Sequence, residues 1–298
     1  MQMRLDRLLT LYCVSPWLRL LSGNDYSIPI LMYHSITDQK EPGVHPYYRT
    51  ATTPADFAAQ LKHLQSEGYT SCSLARALSR LQAEVSDHTK LVVITFDDGY
   101  RDFYHQAFPI LNQFGFSATV FLPTAYIAEN PASFKGTNCL TWTEVRQLSK
   151  HGILFGSHTV THPQLWELSR AAVNQELANS KKTIEEKLGC AVESFAYPYA
   201  FPQADTDFTR MLRDSLRQAG YENGVCTIVG RANRKSEPFF LERLPVNCCD
   251  DAALFAAKLT GAYDWISGFQ YVSKMVKARL RSSASANRNA FKDFPLVQ

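Results

Sequence analysis

Asp97 and Asp98 stand side by side at the end of an apolar run, Leu91 to Phe96, and Gly99 follows them. Adjacent carboxylates repel, so both ionise cheaply only where a cation or strong donors stand beside them. One could hold a metal while the other takes a proton. A solvated Asp-Asp-Gly turn is the other reading of these residues taken alone. Further along, Gly156-Ser157-His158-Thr159-Val160-Thr161-His162-Pro163 places two histidines four apart. Joined by Asp98, they make a two-histidine, one-carboxylate set. Imidazole and carboxylate suit zinc, and such a triad leaves positions open for water and substrate. On a helix this spacing would put both rings on one side. Thr159, Val160 and Pro163 argue against a long helix, so the pair is expected on a strand-to-loop turn.

The elements that must position these groups alternate along the chain. Leu91 to Phe96 reads as a buried central strand. Ile28 to Tyr33 reads as another, delivering His34 at its end. Ser117–Leu122, Ile153–Phe155, Ser194–Tyr197, Asn223–Val229 and Phe239–Val246 complete the set. Helices are expected from the Thr53-Pro54 cap to Gly68, over Leu74–Gln82, from Phe103 to Gly115, kinked or restarted at Pro109, over Thr143–Lys150, Ser169–Leu188 and Phe208–Ala219, and from Asp250 to about Leu259. Residues 35–52 read as a polar loop, and 123–140 as a long loop over a site. Strand-helix alternation of about seven units predicts an α/β fold, a single irregular (β/α) barrel with a mostly parallel sheet. No Gly-x-Gly-x-x-Gly or phosphate loop supports a nucleotide fold.

Composition bounds the rest. With 298 residues, 45% hydrophobic and 20% charged, the chain has enough apolar content for a full core. A net charge of +3 is too mild to suggest nucleic acid. The seven cysteines are scattered, with no Cys-x-x-Cys spacing, and read as mostly reduced, which favours a cytoplasmic chain. Cys248-Cys249 is a redox or metal feature, or two ordinary thiols near a strand end. Residues 1–27 form an amphipathic extension interrupted by Arg4, Asp6, Arg7, Pro16 and Arg19. It carries no secretory signal and no span of transmembrane length. It is expected to pack on the domain's flank, with contact at the inner face of a membrane as the alternative. The main domain is expected over 28–260. Residues 261–298 read as a basic tail, disordered around its Ser-Ser-Ala-Ser-Ala run, which could touch anionic lipid. Oligomeric state is open.

Thr95-Phe96-Asp97-Asp98-Gly99, His158-Thr159-Val160-Thr161-His162 and Phe195-Ala196-Tyr197-Pro198-Tyr199 together resemble the polysaccharide deacetylases with the NodB-homology domain, carbohydrate esterase family 4. The resemblance covers about residues 28–247. It implies a deformed (β/α) barrel that removes an acetyl group from an N-acetylated saccharide with one divalent metal, zinc the first expectation. It also implies Asp97 as general base, Asp98, His158 and His162 as metal ligands, and the Tyr199 N–H, after Pro198, as an oxyanion donor in the substrate groove.

The departures are informative. Many members supply a histidine general acid near the domain's end, yet no histidine follows His162. His34, in Met-Tyr-His-Ser, is the candidate for that proton, an arrangement that resembles the branch acting on poly-N-acetylglucosamine-type exopolysaccharides; a structural histidine is the alternative. The groove motif lacks its usual arginine. Arg243 either pairs with Asp97 and tunes it or makes an ordinary ion pair. Leu244 lines an acetyl pocket or fills the core. Tyr33, Trp142 and Trp166 stack on sugar rings or pack. Two rival functions share the motifs: a metal-dependent hydrolase of a small non-sugar amide, and a saccharide-binding protein without catalysis.

Overall fold

The structure, a computed structural model, describes residues 4–20, 26–83 and 89–272. The Ser-Ser-Ala-Ser-Ala run, Leu21 and part of the loop before Lys90 lie outside these residues. Seven strands form the barrel: β1 (Ile30–Tyr33), β2 (Lys90–Phe96), β3 (Thr119–Leu122), β4 (Leu154–Ser157), β5 (Ser194–Ala196), β6 (Asn223–Val229) and β7 (Leu241–Pro245). Each pairs in parallel with the next. β7 returns to β1, Leu244 opposite Leu31, and closes the ring. The short strand Tyr69–Ser71 extends the sheet beside the start of β2.

The strands are near-continuous apolar runs because both faces are covered. One face turns to the barrel interior. There Ile30, Val93, Phe121, Ala196, Val225 and Leu241 cluster with Leu74, Ala77 and Leu81 of helix α2 (Leu74–Gln82), which plugs the end where the strands begin. Space inside is tight: a Cβ on Gly156 of β4 would lie 2.5 Å from the Phe121 ring. The other face packs under the surrounding helices. These are α1 (Pro54–Ser66), α3 (Phe108–Phe114), α4 (Trp142–Lys150), α5 (Arg170–Leu188), α6 (Thr206–Gln218) and α7 (Ala252–Leu259), with Phe57, Leu111, Val145, Leu177 and Leu212 in the outer core.

Local chemistry sets the helix ends. Thr53 accepts the Asp56 N–H and Pro54 fills the first turn of α1. Thr141 and Glu144 form a reciprocal capping box on α4. The helix restarts at Pro109, which lies in the first turn of α3, after a wider π-helical turn over Phe103–Ala107. The loop 35–52 is less open than its polar sequence suggests, since Ser35–Ile36 pairs with Ala51–Thr52. In the long loop, Thr124–Tyr126 is a 3₁₀ turn and Ser133–Phe134 pairs with Thr137–Asn138 as a hairpin.

The N-terminal helical segment packs on the body. Arg4 donates to Asp250 at 2.8 Å, Arg7 to Asp251 at 2.8 Å, and the Tyr263 hydroxyl to Asp6 at 2.6 Å. The boundary expected at 260 falls inside packed structure, because Tyr263 is fully buried and a helix begins at Ile266. No helix among the described residues is long and apolar enough to cross a membrane.

Candidate active site

The site lies at the mouth where the strands end, the place a parallel barrel offers for chemistry. Side chains alternate along a strand, so the inward set continues past each strand's last residue. Ile30 is inward, and two steps on comes His34. Val93 leads to Asp97 by the same count, Gly156 to His158, and Leu241 to Arg243. The barrel's parity therefore delivers four of the candidate groups to one place.

Asp98, His158 and His162 converge. All three are buried, and their nearest ligand atoms lie within 4.8 Å of one another. His158 Nε2 is 3.5 Å and His162 Nε2 3.2 Å from the same Asp98 oxygen, Oδ1. That oxygen is buried without a hydrogen-bond partner among the described residues. Ligand atoms about 2.1 Å from a tetrahedral ion would stand about 3.4 Å apart, so the spacing and the orphaned oxygen both fit a divalent metal. His158 Nδ1 donates to the Ala196 carbonyl at 2.8 Å, which fixes the tautomer and leaves Nε2 for coordination. Burial pushes His162 down to about 4, against the pull of Asp98, so its ring is neutral as a ligand must be. Burial pushes the Asp98 carboxyl up, but the two imidazoles outweigh it and hold it well below the usual carboxylate range.

The loop carrying the histidines is tied down from α5. Glu176 accepts the Val160 and Thr161 N–H groups at 2.7 and 2.9 Å and the Thr161 hydroxyl at 2.8 Å. Thr159 Oγ1 accepts the His162 N–H at 2.9 Å. Backbone strain gathers here. Among the described residues, the non-glycine positions with positive φ are Asp98, Lys135, Thr159, His162 and Tyr199. Such conformations persist only where the surroundings hold them.

Asp97 stands beside the metal set and is gripped by Arg243, whose Nη1 and Nη2 donate to Oδ1 and Oδ2 at 2.7 and 2.8 Å. Arg243 is fully buried on β7 and also donates to the Cys226 carbonyl and to Thr95 Oγ1. Burial raises the Asp97 carboxyl, but the guanidinium wins and holds it below the usual range. His34 Nε2 is 4.0 Å from Asp97 Oδ2, and burial lowers its pKa against the attraction of Asp97 and Asp98. Pro198 and Tyr199 follow β5 in a turn fixed by Thr227, whose hydroxyl donates to the Tyr199 carbonyl at 2.9 Å and accepts the Phe201 N–H at 2.9 Å. The Tyr199 ring packs on His162, with centroids 4.6 Å apart.

For three residues burial decides between the two readings in favour of packing. Leu244 sits one residue off the inward set and is fully buried in the outer core with Leu31 and Tyr33, so it packs and does not line the site. Tyr33 is fully buried, its hydroxyl donating to Gln60 at 2.9 Å, and Trp142 is core. Neither can stack on a sugar; Trp166 alone of the three aromatic candidates is exposed. The sequence reading also missed Lys135 at the hairpin tip. Its amine is 3.7 Å from Asp98 Oδ2 and lies over the Phe134 and Tyr199 rings. Beside the site runs a groove of about 840 Å³ between Ser35–Gln39 and the hairpin's Gly136–Asn138, with Arg101 and Asp102 along it.

Known proteins resemble this chain in sequence and fold. The polysaccharide deacetylase family model matches residues 84–224, which span both carboxylates, both histidines and the Tyr199 turn. Over this stretch the chain is similar to the polysaccharide deacetylases. These enzymes hydrolyse the amide C–N bond of N-acetylated sugars. The Bacillus subtilis protein YxkH, which carries the same family description, is 29% identical over 243 residues, 82% of this chain and 79% of that protein. A Staphylococcus aureus poly-β-1,6-N-acetyl-D-glucosamine N-deacetylase is 23% identical over 212 residues, 68% of this chain and 69% of its own. Among solved structures, the Streptococcus pyogenes deacetylase PplD in complex with acetate superposes with a TM-score of 0.68 at 27% identity, covering 79% of this chain and 99% of that one. IcaB from Ammonifex degensii shares the fold, with a TM-score of 0.66 at 23% identity over 80% of this chain and 98% of that one.

Proposed function

We propose that this polysaccharide deacetylase removes acetyl groups from a polymeric N-acetylated saccharide, in exopolysaccharide synthesis or modification, with one divalent metal, zinc first, held by Asp98, His158 and His162. The observation that carries the reading is the placement of Asp97 and His34 on the inward parity of neighbouring strands, beside that convergent buried trio. A divalent ion, when bound, supplies Lewis acidity to the amide carbonyl and to water. Asp97 takes the proton of the attacking water. Arg243 keeps the carboxylate ionised and aimed. The oxygen–carbon bond forms, the carbon–nitrogen bond breaks, and the leaving nitrogen receives its proton through His34, giving acetate and a free amine. No hydrogen bond among the described residues uses the Tyr199 N–H, which leaves it for the developing oxyanion. The groove lined by Ser35 and Gly136, the chain neighbours of His34 and Lys135, is open, which favours a chain over a small amide. The relative named for poly-β-1,6-N-acetyl-D-glucosamine makes that polymer the first substrate to try.

The test is acetate release from N-acetylated oligosaccharides after chelation and metal return. We expect metal-restored release, a loss of at least about a hundredfold in Asp97→Asn, and a smaller loss in His34→Ala. Release unchanged by Asp97→Asn, or none from any saccharide while metal binds stoichiometrically, would overturn the reading in favour of a small amide or binding alone.

A further inference from the structure

The N-terminal helical segment turns several large apolar side chains outward and its polar ones inward. It runs through Leu5–Leu8, Leu9–Val14 and Ser15–Leu20. Its polar side chains face the protein: Arg4 is 8% exposed and Thr10 fully buried, and Arg4, Asp6, Arg7 and Thr10 all bond to the body or to residues packed on it. Leu5, Leu9, Tyr12 and Trp17 face outward at 64, 46, 71 and 67% exposure, while Leu8, Leu11 and Val14 are half-buried. A surface helix normally does the reverse.

The helix that begins at Ile266 buries that residue but likewise exposes apolar side chains. Gln270 points inward, donating to the Tyr47 hydroxyl at 3.2 Å and accepting the Val229 N–H at 3.0 Å, while Phe269 and Val272 are 69 and 57% exposed. Trp265, just before it, donates to Thr10 Oγ1 at 3.0 Å, so the two helices lie together. Leu5, Leu9, Tyr12, Trp17, Phe269 and Val272 are therefore exposed on two helices that touch, and soluble proteins rarely leave such a concentration uncovered.

We infer that this face docks peripherally on a membrane containing anionic lipid. Charge selects the occupant. Beyond Val272 the sequence carries Lys274, Lys277, Arg279, Arg281, Arg288 and Lys292 against Asp293 alone. A basic segment leaving an exposed apolar helix suits an acidic bilayer surface, where each cation adds attraction and the apolar side chains enter the interface. A second copy of the chain would bring two such segments together against their repulsion. The face is also placed to matter. Gln270 is anchored to the end of β6 and to the loop after β1, and Arg4 to Asp250 after β7, all at the end of the barrel where the site opens. Docking would hold the mouth close to the bilayer, in reach of a saccharide at its surface.

The experiment is sedimentation of the full chain with phosphatidylcholine vesicles, with and without phosphatidylglycerol, at low and high salt. Three double variants accompany it: Leu9→Ser with Trp17→Ser, Phe269→Ser with Val272→Ser, and Lys274→Gln with Lys277→Gln, each checked for an unchanged thermal midpoint. We expect salt-sensitive binding to the anionic vesicles, at least about tenfold weaker in each double variant. Tryptophan quenching of the unaltered chain by brominated lipid gives the same reading without a variant. No vesicle binding, or binding that survives both apolar substitutions, would overturn the inference. A dimer dissolved by the apolar substitutions would overturn it in favour of a self-interface.

Discussion

Arg243 and Asp97 form a two-point ion pair, 2.7 and 2.8 Å, with their side chains 0 and 3% exposed. The pair joins the last barrel strand to the end of the second. Its partners divide the work: the arginine is satisfied by Cys226 and Thr95 besides Asp97, whereas the carboxylate keeps an edge beside His34.

Breaking this pair from the arginine side leaves a buried, uncompensated carboxylate. Arg243→Met should cost about 3–5 kcal/mol of stability. Because the folded Asp97 carboxyl lies below its unfolded value, the pair's contribution is complete above the unfolded carboxylate pKa and fades as pH falls through the folded one. Urea unfolding at pH 7 and at successively lower pH checks both points: the gap between parent and variant should narrow only in the acid range.

Glu176 acts on the metal set without touching it, by fixing the turn between the two histidines. Glu176→Ala should weaken divalent-metal affinity by about 10–100-fold, as loss of an outer support typically does. Titration calorimetry reads this directly, and an affinity equal to the parent's would mean the turn holds itself.

Lys135 places a positive charge 3.7 Å from the carboxylate that is to hold a cation. Replacing it with methionine removes a competitor. The expected outcome is a few-fold tighter divalent-metal binding, the scale set by one exposed like charge in water at about 4 Å. Weaker binding would instead make the lysine a support for the hairpin.

Asp102 behaves oppositely to Asp97. It accepts a short hydrogen bond from Ser35, but burial prevails and pushes its carboxyl up to about 6. The folded state thus prefers it protonated, and stability falls as pH rises from the unfolded value near 4 through 6. Asp102→Asn should therefore match the parent below pH 4 and exceed it at pH 7 by about 3 kcal/mol. Thermal midpoints across that range provide the check, and a difference independent of pH would remove the burial argument.

Much of this was legible beforehand for physical reasons. Parallel strands buried on both faces leave unbroken apolar runs, and a site at their ends leaves polar residues directly after them, as at His34, Asp97 and His158. Period-two counting also contained the packing readings. Tyr33 and Leu244 each neighbour an inward residue, so alternation turns them into the outer core, a signal outweighed by their nearness to the motifs. Other parts left no trace. Glu176 is one acid among several on a long solvated helix, and only the fold brings it under Val160. Lys135 lies in a segment that reads as loop because its hairpin strands are two residues each. The N-terminal helical segment mixes polar and apolar residues like any amphipathic helix, and sequence does not say that Leu5, Leu9, Tyr12 and Trp17 face out.

The closure of β7 against β1 has a kinetic meaning. Arg243 and Asp97 are 146 positions apart along the chain, and their contact exists only when the first and last strands have met. Contacts of such long sequence separation carry their loop-closure entropy before they return any energy, and they slow folding. Asp97 would thus gain its counter-charge only as the ring closes. A growing or refolding chain can form most of its helices and hold both histidines near Asp98, yet it has no competent site until the final strand is seated. Recovery of activity after dilution from denaturant should therefore lag behind recovery of helical signal.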